Sequence, residues 1–341
     1  MSKKSKINSE IQLNEEIEPL PQAFSKLKPF FSEEITPFMN SMTIQILLIR
    51  QVLDYTILRT EDSRELNTVE LPKSFNNTDR DVYGLFLASK QKSVESRKFM
   101  EFFRTISSSD YIKMCHLPMN LCMKCPRCVL FGSVKPSGGT YNIKHRVEYS
   151  SAFSLLPFNE INETITFNAV NESNQKTGQA LNVSHNFKPL TIFPSIVTLK
   201  SVTWKEFTLF IKTLLASHSY GAETRVKGDL RNEIIGIVAG YEEIITPLEL
   251  NLELKNLIDG NEPLSLSFIN TKLVEILEKY KQLSSSVNDI FIPTQIEFNS
   301  IMDEIKQIQI EKLVESMEVD ATKFISLIEN ADEYSTLCLI L

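Results

Sequence analysis

The chain has 341 residues, 42% of them hydrophobic and 23% charged, a balance that excludes a disordered chain and leaves ample apolar surface for a core. Ten glycines exclude collagen-like or low-complexity character. The formal net charge of −7 is unevenly divided: residues 111–147 hold six Lys/Arg and no Asp/Glu, residues 173–232 eight against three, and residues 241–341 seven against nineteen. A cationic middle and an acidic C-terminal third are therefore hidden in the total, and a polyanion partner is not excluded by it.

Residues 1–40 are polar and proline-punctuated and read as an N-terminal arm with at most a short helix. The basic start leads into a polar stretch rather than an apolar signal core, and the strongly apolar stretch at 44–49 is far too short for a bilayer. A cytoplasmic protein with no membrane partner is expected. Residues 43–50 read as a buried strand and 55–60 as a second, paired in a hairpin. Residues 76–81 form a loop. Helical spacing over 94–106 groups Val94, Phe99, Phe102, Phe103 and Ile106, with basic residues between them. Residues 107–140 have no periodicity and carry the cysteines, as an insertion held by something other than apolar packing. Residues 143–153 and 164–170 are strand-like, and a loop rich in turn formers occupies 171–178. A β-branched run at 192–202 precedes a helix marked by Trp204, Phe207, Ile211 and Leu214, then a polar loop and a strand at 231–240. Beyond 250 the pattern is helical and acidic. This order predicts an α+β fold, an antiparallel sheet with helices on one face. Its core is formed by 41–106 and 143–250, with an insertion at 107–142 and an acidic helical region at 251–341.

Cys115, Cys122, Cys125 and Cys128 have the spacing C-x6-C-x2-C-x2-C. Two overlapping knuckles supply three thiolates and the loop containing Pro118 returns the fourth, which points to structural Zn2+. His116 adjoins Cys115 and competes with it as the fourth ligand. An iron–sulfur cluster and unligated or redox-active thiols are the competing readings. A deaminase site is disfavoured because no H-x-E motif is present. Cys338, in the apolar Leu337-Cys-Leu-Ile-Leu tail, reads as a small buried hydrophobe.

Cations gather in three loops: Lys135 with Lys144, His145 and Arg146; Lys176; and Arg225, Lys227 and Arg231. With Phe131, Tyr141 and Tyr149 nearby in sequence, they offer phosphate neutralisation and stacking surfaces to a single strand. His145 between two cations is also a candidate general base for RNA cleavage, with Lys144 or Arg146 stabilising the phosphorane. No G-K-S/T accompanies the glycines at 221 and 228, so a nucleotide-triphosphate loop is disfavoured.

Four groups of segments, taken in order, resemble the Csc-two family, the backbone subunit of type I-D CRISPR surveillance (Cascade) complexes in the Cas-seven superfamily. They are 44–50 with Ile57-Leu-Arg-Thr60; Cys122-Met-Lys-Cys-Pro-Arg-Cys-Val-Leu-Phe-Gly132; Ile143-Lys-His-Arg-Val147 with Ala152-Phe-Ser-Leu155; and Tyr220-Gly-Ala-Glu-Thr-Arg225 with Arg231-Asn-Glu-Ile234. The resemblance covers roughly 40–250; the N-terminal arm and the acidic helices are unmatched. It implies an RRM/ferredoxin-like antiparallel core with a zinc-binding insertion. It further implies a non-catalytic subunit whose copies line up along a CRISPR RNA, hold its sugar–phosphate backbone and present it to target DNA. The other implied partners are further Cascade subunits, including a Cas-ten-like large subunit. Arg50 and Arg59 join the cationic loop residues as RNA-binding candidates, and the segment 168–182 with Lys176 is the candidate projecting loop that displaces bases. The alternative is an endoribonuclease of the same ferredoxin-like superfamily that processes CRISPR RNA, with His145 as its base.

Overall fold

The computed structural model describes residues 19–59, 65–134, 141–171, 173–221, 226–257 and 266–330. Along the chain lie β1 (Thr43–Val52), β2 (Thr68–Pro72), β3 (Arg80–Phe86), α1 (Ala88–Ile106), α2 (Asp110–Lys113), α3 (Pro126–Phe131), β4 (Val147–Tyr149) and β5 (Ala152–Pro157). Next come α4 (Phe158–Ile161), β6 (Asn162–Asn171), β7 (Lys176–Phe187), β8 (Ile192–Lys200), α5 (Trp204–Ala216), β9 (Leu230–Gly240), α6 (Pro247–Leu257), α7 (Leu266–Leu283), α8 (Gln295–Gln307) and α9 (Ile310–Glu329).

The main sheet has the order β4-β8-β1-β9, and each neighbouring pair is antiparallel. With the helices after β1 and β8, this gives β1–α1–β4–β8–α5–β9, the β-α-β-β-α-β succession of a ferredoxin-like unit. The antiparallel α+β expectation therefore holds. The hairpin expected between 43–50 and 55–60 does not form. β1 is a central strand whose two edges are taken by β8 and β9. Residues 55–59 instead leave the sheet, make a single bridge from Thr56 to Phe187, and bury Ile57 and Leu58 in a separate cluster with Phe86, Phe187 and Tyr220. The expected strand at 143–153 divides into β4 and β5, which belong to different sheets.

Both faces of the main sheet are covered. On one, Ile44, Ile46 and Leu48 meet Phe99 and Phe103 of α1, Phe207 and Phe210 of α5, and Ile301, Ile305 and Leu313 of α8 and α9. On the other, Leu47, Ile49, Ile196 and Val238 meet Leu250 and Leu254 of α6 and Leu273 and Leu277 of α7. This is why β1 reads as a continuous apolar run instead of an alternating one. Gly236 lets α7 approach, since a Cβ there would lie 2.7 Å from Leu273 Cδ2. The open sheet face on which RRM domains stack bases is thus occupied by the acidic C-terminal helices, and any strand-binding surface lies elsewhere.

The insertion does not stand apart from apolar packing. Cys115, Cys125, Cys128, Leu130 and Phe131 belong to the main core, while Met123 and Val129 pack against Phe324 and Ile325 of α9. The short runs of apolar residues in 107–134 lack periodicity because they fill gaps between α1 and α9 from several directions.

Candidate nucleic-acid interface and metal centre

The four cysteines converge. Their Sγ atoms all lie within 4.8 Å of one another, with Cys115–Cys128 at 3.6 Å, Cys115–Cys125 at 3.7 Å and Cys122–Cys128 at 4.0 Å. A tetrahedral ion at a Zn–S distance of about 2.3 Å would set its sulfurs roughly 3.8 Å apart, so the set fits a four-thiolate site. Backbone N–H groups of Lys124 and Cys125 donate to Cys122 Sγ, and that of Cys122 donates to Cys115 Sγ. The turn that aims them needs Met123 at φ 62°. Cys115 takes the fourth place: it is buried inside the group, whereas the exposed His116 turns its Nδ1 to the Met114 carbonyl at 2.8 Å. Hydrogen bonds from the neighbouring thiols, Cys115 first, hold Cys128 below the ordinary thiol range, and those with Cys115 push Cys122 and Cys125 above it. Only a cation would let all four ionise together, and binding one would tie residues 115–128 into a single unit.

The cationic candidates divide sharply. Arg50 is fully buried, its Nη1 donating to Glu95 at 2.6 Å and to Asn232 at 2.9 Å. Tyr149 and Tyr220 also donate to Glu95, at 2.7 and 2.9 Å. Burial alone would lower the Arg50 pKa, but the Glu95 carboxylate outweighs it and the guanidinium is held above its usual value. Arg146 is likewise buried, with two bonds to Glu206, one of 2.8 Å, and a third to the Ser201 carbonyl. Glu206 in turn closes the capping box with Thr203 at the start of α5. Arg50 and Arg146 are therefore internal ties between sheet and helices and do not face a phosphate, which corrects their place among the RNA-binding candidates. The nuclease alternative loses Arg146 for the same reason.

Lys144 is exposed and His145 half-buried. Arg59 is half-buried. Lys227 is exposed but pairs its ammonium with Asp229 at 2.6 Å. Arg231 is exposed on β9, opposite Gln51 of β1. Lys135, Arg225 and Cys338 lie outside the described residues. Lys176 starts β7 opposite Asn171, at the tip of a two-stranded β6–β7 ribbon that joins neither other sheet. Much of the expected loop at 171–178 is thus strand, with exposed residues at 173–175.

What joins the scattered cations is α1, whose lysines the sequence patterns do not single out. Burial, and then the charges of Arg97 and Arg59, lower the pKa of Lys90, whose Nζ lies 3.4 Å from the Gly221 carbonyl. Burial and then Arg127 lower that of Lys92. Burial and then Lys92, with Lys144 and Lys200, lower that of His145, against the opposing effect of Glu148. Lys92 and His145 line one cleft with Ala88, Ser89 and Glu148. The basic residues between the apolar positions of 94–106 include Arg97, whereas Lys90 and Lys92 lie before them.

The fold is similar to that in a crystal structure of Thermofilum pendens Csc2, with a TM-score of 0.64 and 18% identity over 92% of this chain and 98% of that one. A chain from a solved CRISPR RNA-guided surveillance complex aligns at a TM-score of 0.47 and 10% identity, over 82% of this chain and 99% of that one. Among curated protein sequences no relative matches. Among the described residues no helix is long and apolar enough to cross a membrane. A model of the family described as Csc2 Crispr matches residues 30–318, well over half of the chain, and the chain belongs to the Csc2 CRISPR family.

Proposed function

We propose that the chain is the guide-RNA-holding backbone subunit of a CRISPR surveillance complex of type I-D, acting without catalysis of its own. Its ligand is single-stranded CRISPR RNA, held by the sugar–phosphate backbone so that the bases remain free to pair with target DNA. Neighbouring copies of the chain and other Cascade subunits, including a Cas-ten-like large subunit, complete the assembly. The observation that carries this reading, within the family, is the two groups of cations on and around α1: Lys90 near Arg97 and Arg59 on one flank, and Lys92 near Arg127, His145 and Lys144 on another. Cations placed this way meet phosphates without reading a sequence. The β6–β7 ribbon with Lys176 at its tip is the element that divides the strand between adjacent copies.

Zinc is the metal proposed for Cys115, Cys122, Cys125 and Cys128, because four clustered thiolates suit a closed structural site. Bound there, it supplies a cross-link and no chemistry on the strand. The arm at 1–40 and the insertion at 107–142 are proposed as the parts that distinguish this chain from a bare ferredoxin-like core of 41–106 and 143–250, with 251–341 as its acidic cover.

The test is binding of unstructured RNA of two unrelated sequences across a salt series. Equal affinities and a linear fall of log K with log salt are expected. Strong discrimination between the two sequences, or single-site cleavage abolished by His145→Ala, would replace this reading with a sequence-reading or nuclease one.

A further inference from the structure

We propose that the cysteine-bearing insertion carries a docking groove for another protein, and that its occupant is an acidic amphipathic helix with apolar residues at helical spacing. The groove measures about 470 Å³ and is lined by Tyr111, Met114, Met119, Leu121, Val134 and Lys124. Among the described residues, none of the cations assigned to the RNA strand lines it.

The apolar side chains of this groove stand in the open. Met119 is 87% exposed and Met114 62%, with Val134 and Tyr111 exposed beside them. Single exposed apolar residues are ordinary on a surface, whereas four that converge on one concavity mark a contact. The loop that carries them is already fixed. His116 and Asn120 exchange both backbone bonds, at 2.9 and 3.1 Å, and the Asn120 side chain donates to the Met114 carbonyl at 2.9 Å. Little order is therefore lost on binding. Because those backbone groups pair with each other, the loop does not present them to an added strand. The occupant must meet it side chain to side chain, as a helix in a groove does.

Charge says what kind of helix fits. Residues 111–134 hold Lys113, Lys124 and Arg127 and no Asp or Glu. Lys113 and Lys124 are exposed and, among the described residues, pair with no carboxylate. Glu318 of α9 approaches at the Tyr111 end, where it accepts the Ser109 hydroxyl at 3.5 Å, so the partner's acids belong toward Lys124. Thioether and aliphatic walls grip apolar anchors of varied shape. A nucleic-acid strand would want aromatic faces and a row of cations instead. A second copy of this chain has no suitable helix among its described residues. Its acidic helices turn Ile301, Ile305 and Leu313, and Leu273 and Leu277, into their own core. The apolar residues they leave exposed, Val274, Leu283, Ile296 and Val319, form no helical row. The occupant therefore belongs to a different protein.

The test uses the full-length protein with methyl-labelled methionine and a synthetic helical peptide of about sixteen residues, its leucines at i, i+3, i+4 and i+7 and glutamates between them. In NMR spectra the peptide should shift the Met114 and Met119 methyl signals, while those of Met100 and Met302, which are buried in the core, stay in place. A peptide with lysines for the glutamates should bind about tenfold more weakly. Met119→Asp, made at an exposed position, and Lys124→Glu should each lower affinity for the acidic peptide about tenfold as well. Methyl signals that ignore the acidic peptide, or equal affinity for the two peptides, would overturn the proposal. Shifts produced instead by RNA, by raising the protein concentration or by deleting residues 331–341 would assign the groove to a strand, a second copy or the chain's own tail, and each would also overturn it. All of these outcomes leave the RNA-binding reading to its own salt series.

Discussion

The two faces of α1 solve opposite electrostatic problems. On the inward face, Glu95 neutralises Arg50 and takes bonds from Tyr149 and Tyr220, so the charge is matched before any ligand arrives. On the accessible flanks of α1, Lys90 and Lys92, about 200° apart around the helix, are each half-buried near other cations, and burial and like charge both work against their ionisation. The acid at that edge, Glu148, is already shared with Lys200 at 2.6 Å. Matched charge on the inside makes structure, and surplus charge at the surface leaves cations to which a polyanion would be drawn.

The inward face should break hardest. Arg50→Met leaves Glu95 buried without its partner and is expected to cost about 3–5 kcal/mol. Glu95→Met in the same chain should restore much of the loss, as measured by urea midpoints. If the single variant is as stable as the parent, the inward pair is not a tie between sheet and helix.

The metal centre comes next. Purified protein should carry about one zinc per chain by elemental analysis. Cys125→Ser should release it and speed amide exchange over 110–134. Because Cys125 and Cys128 share the core with Phe99 and Phe207, the loosening should reach the insertion-facing side of α1 while β1 stays protected. Iron with sulfide, or no metal, would remove the zinc assignment.

The outward face should show in the salt dependence rather than in stability. Replacing Lys92 and Lys144 with Gln is expected to reduce the log–log salt slope by about 1.4, at roughly 0.7 per neutralised phosphate on a single strand. The same replacement of Arg146 should lower stability and leave the slope unchanged, because its partner is the buried Glu206.

The smallest effect is on pH. His145 faces Lys92, Lys144 and Lys200, with Glu148 opposing them, and burial first and then these cations hold its pKa below the ordinary histidine range. It is neutral in the free protein at neutral pH. A phosphate beside it favours the charged form, so RNA binding takes up a proton and affinity should rise as pH falls through the histidine range. The unfolded chain binds that proton more readily than the free fold, so stability should fall as pH falls over the same range. Removing the charge of Lys92 raises the His145 pKa in the fold, so the affinity change should move to higher pH and the stability loss should shrink, and a His145→Gln variant should lose both.

Much of this was legible in the residues. The runs that became β1, β8 and β9, and the helix that became α5, carry strong periodicity or a continuous apolar signature. The cysteine spacing picked out the four thiols that converge, because such clustering depends on local reach that a sequence displays. β2 and β3 were missed, since Thr68–Pro72 and much of Arg80–Phe86 are half-exposed and polar. The false hairpin at 43–60 came from assuming that neighbours in sequence pair, when the stronger partners of β1 come from residues far along the chain. The same limit governs the charges. Sequence alone determined that the middle of the chain is cationic and that four thiols would meet. It took the tertiary structure to decide that Arg50 and Arg146 are spent on Glu95 and Glu206 while Lys92 and Arg127 are not. A charge's role is set by whether folding brings a counter-charge to it, and those carboxylates lie 45 and 60 positions away.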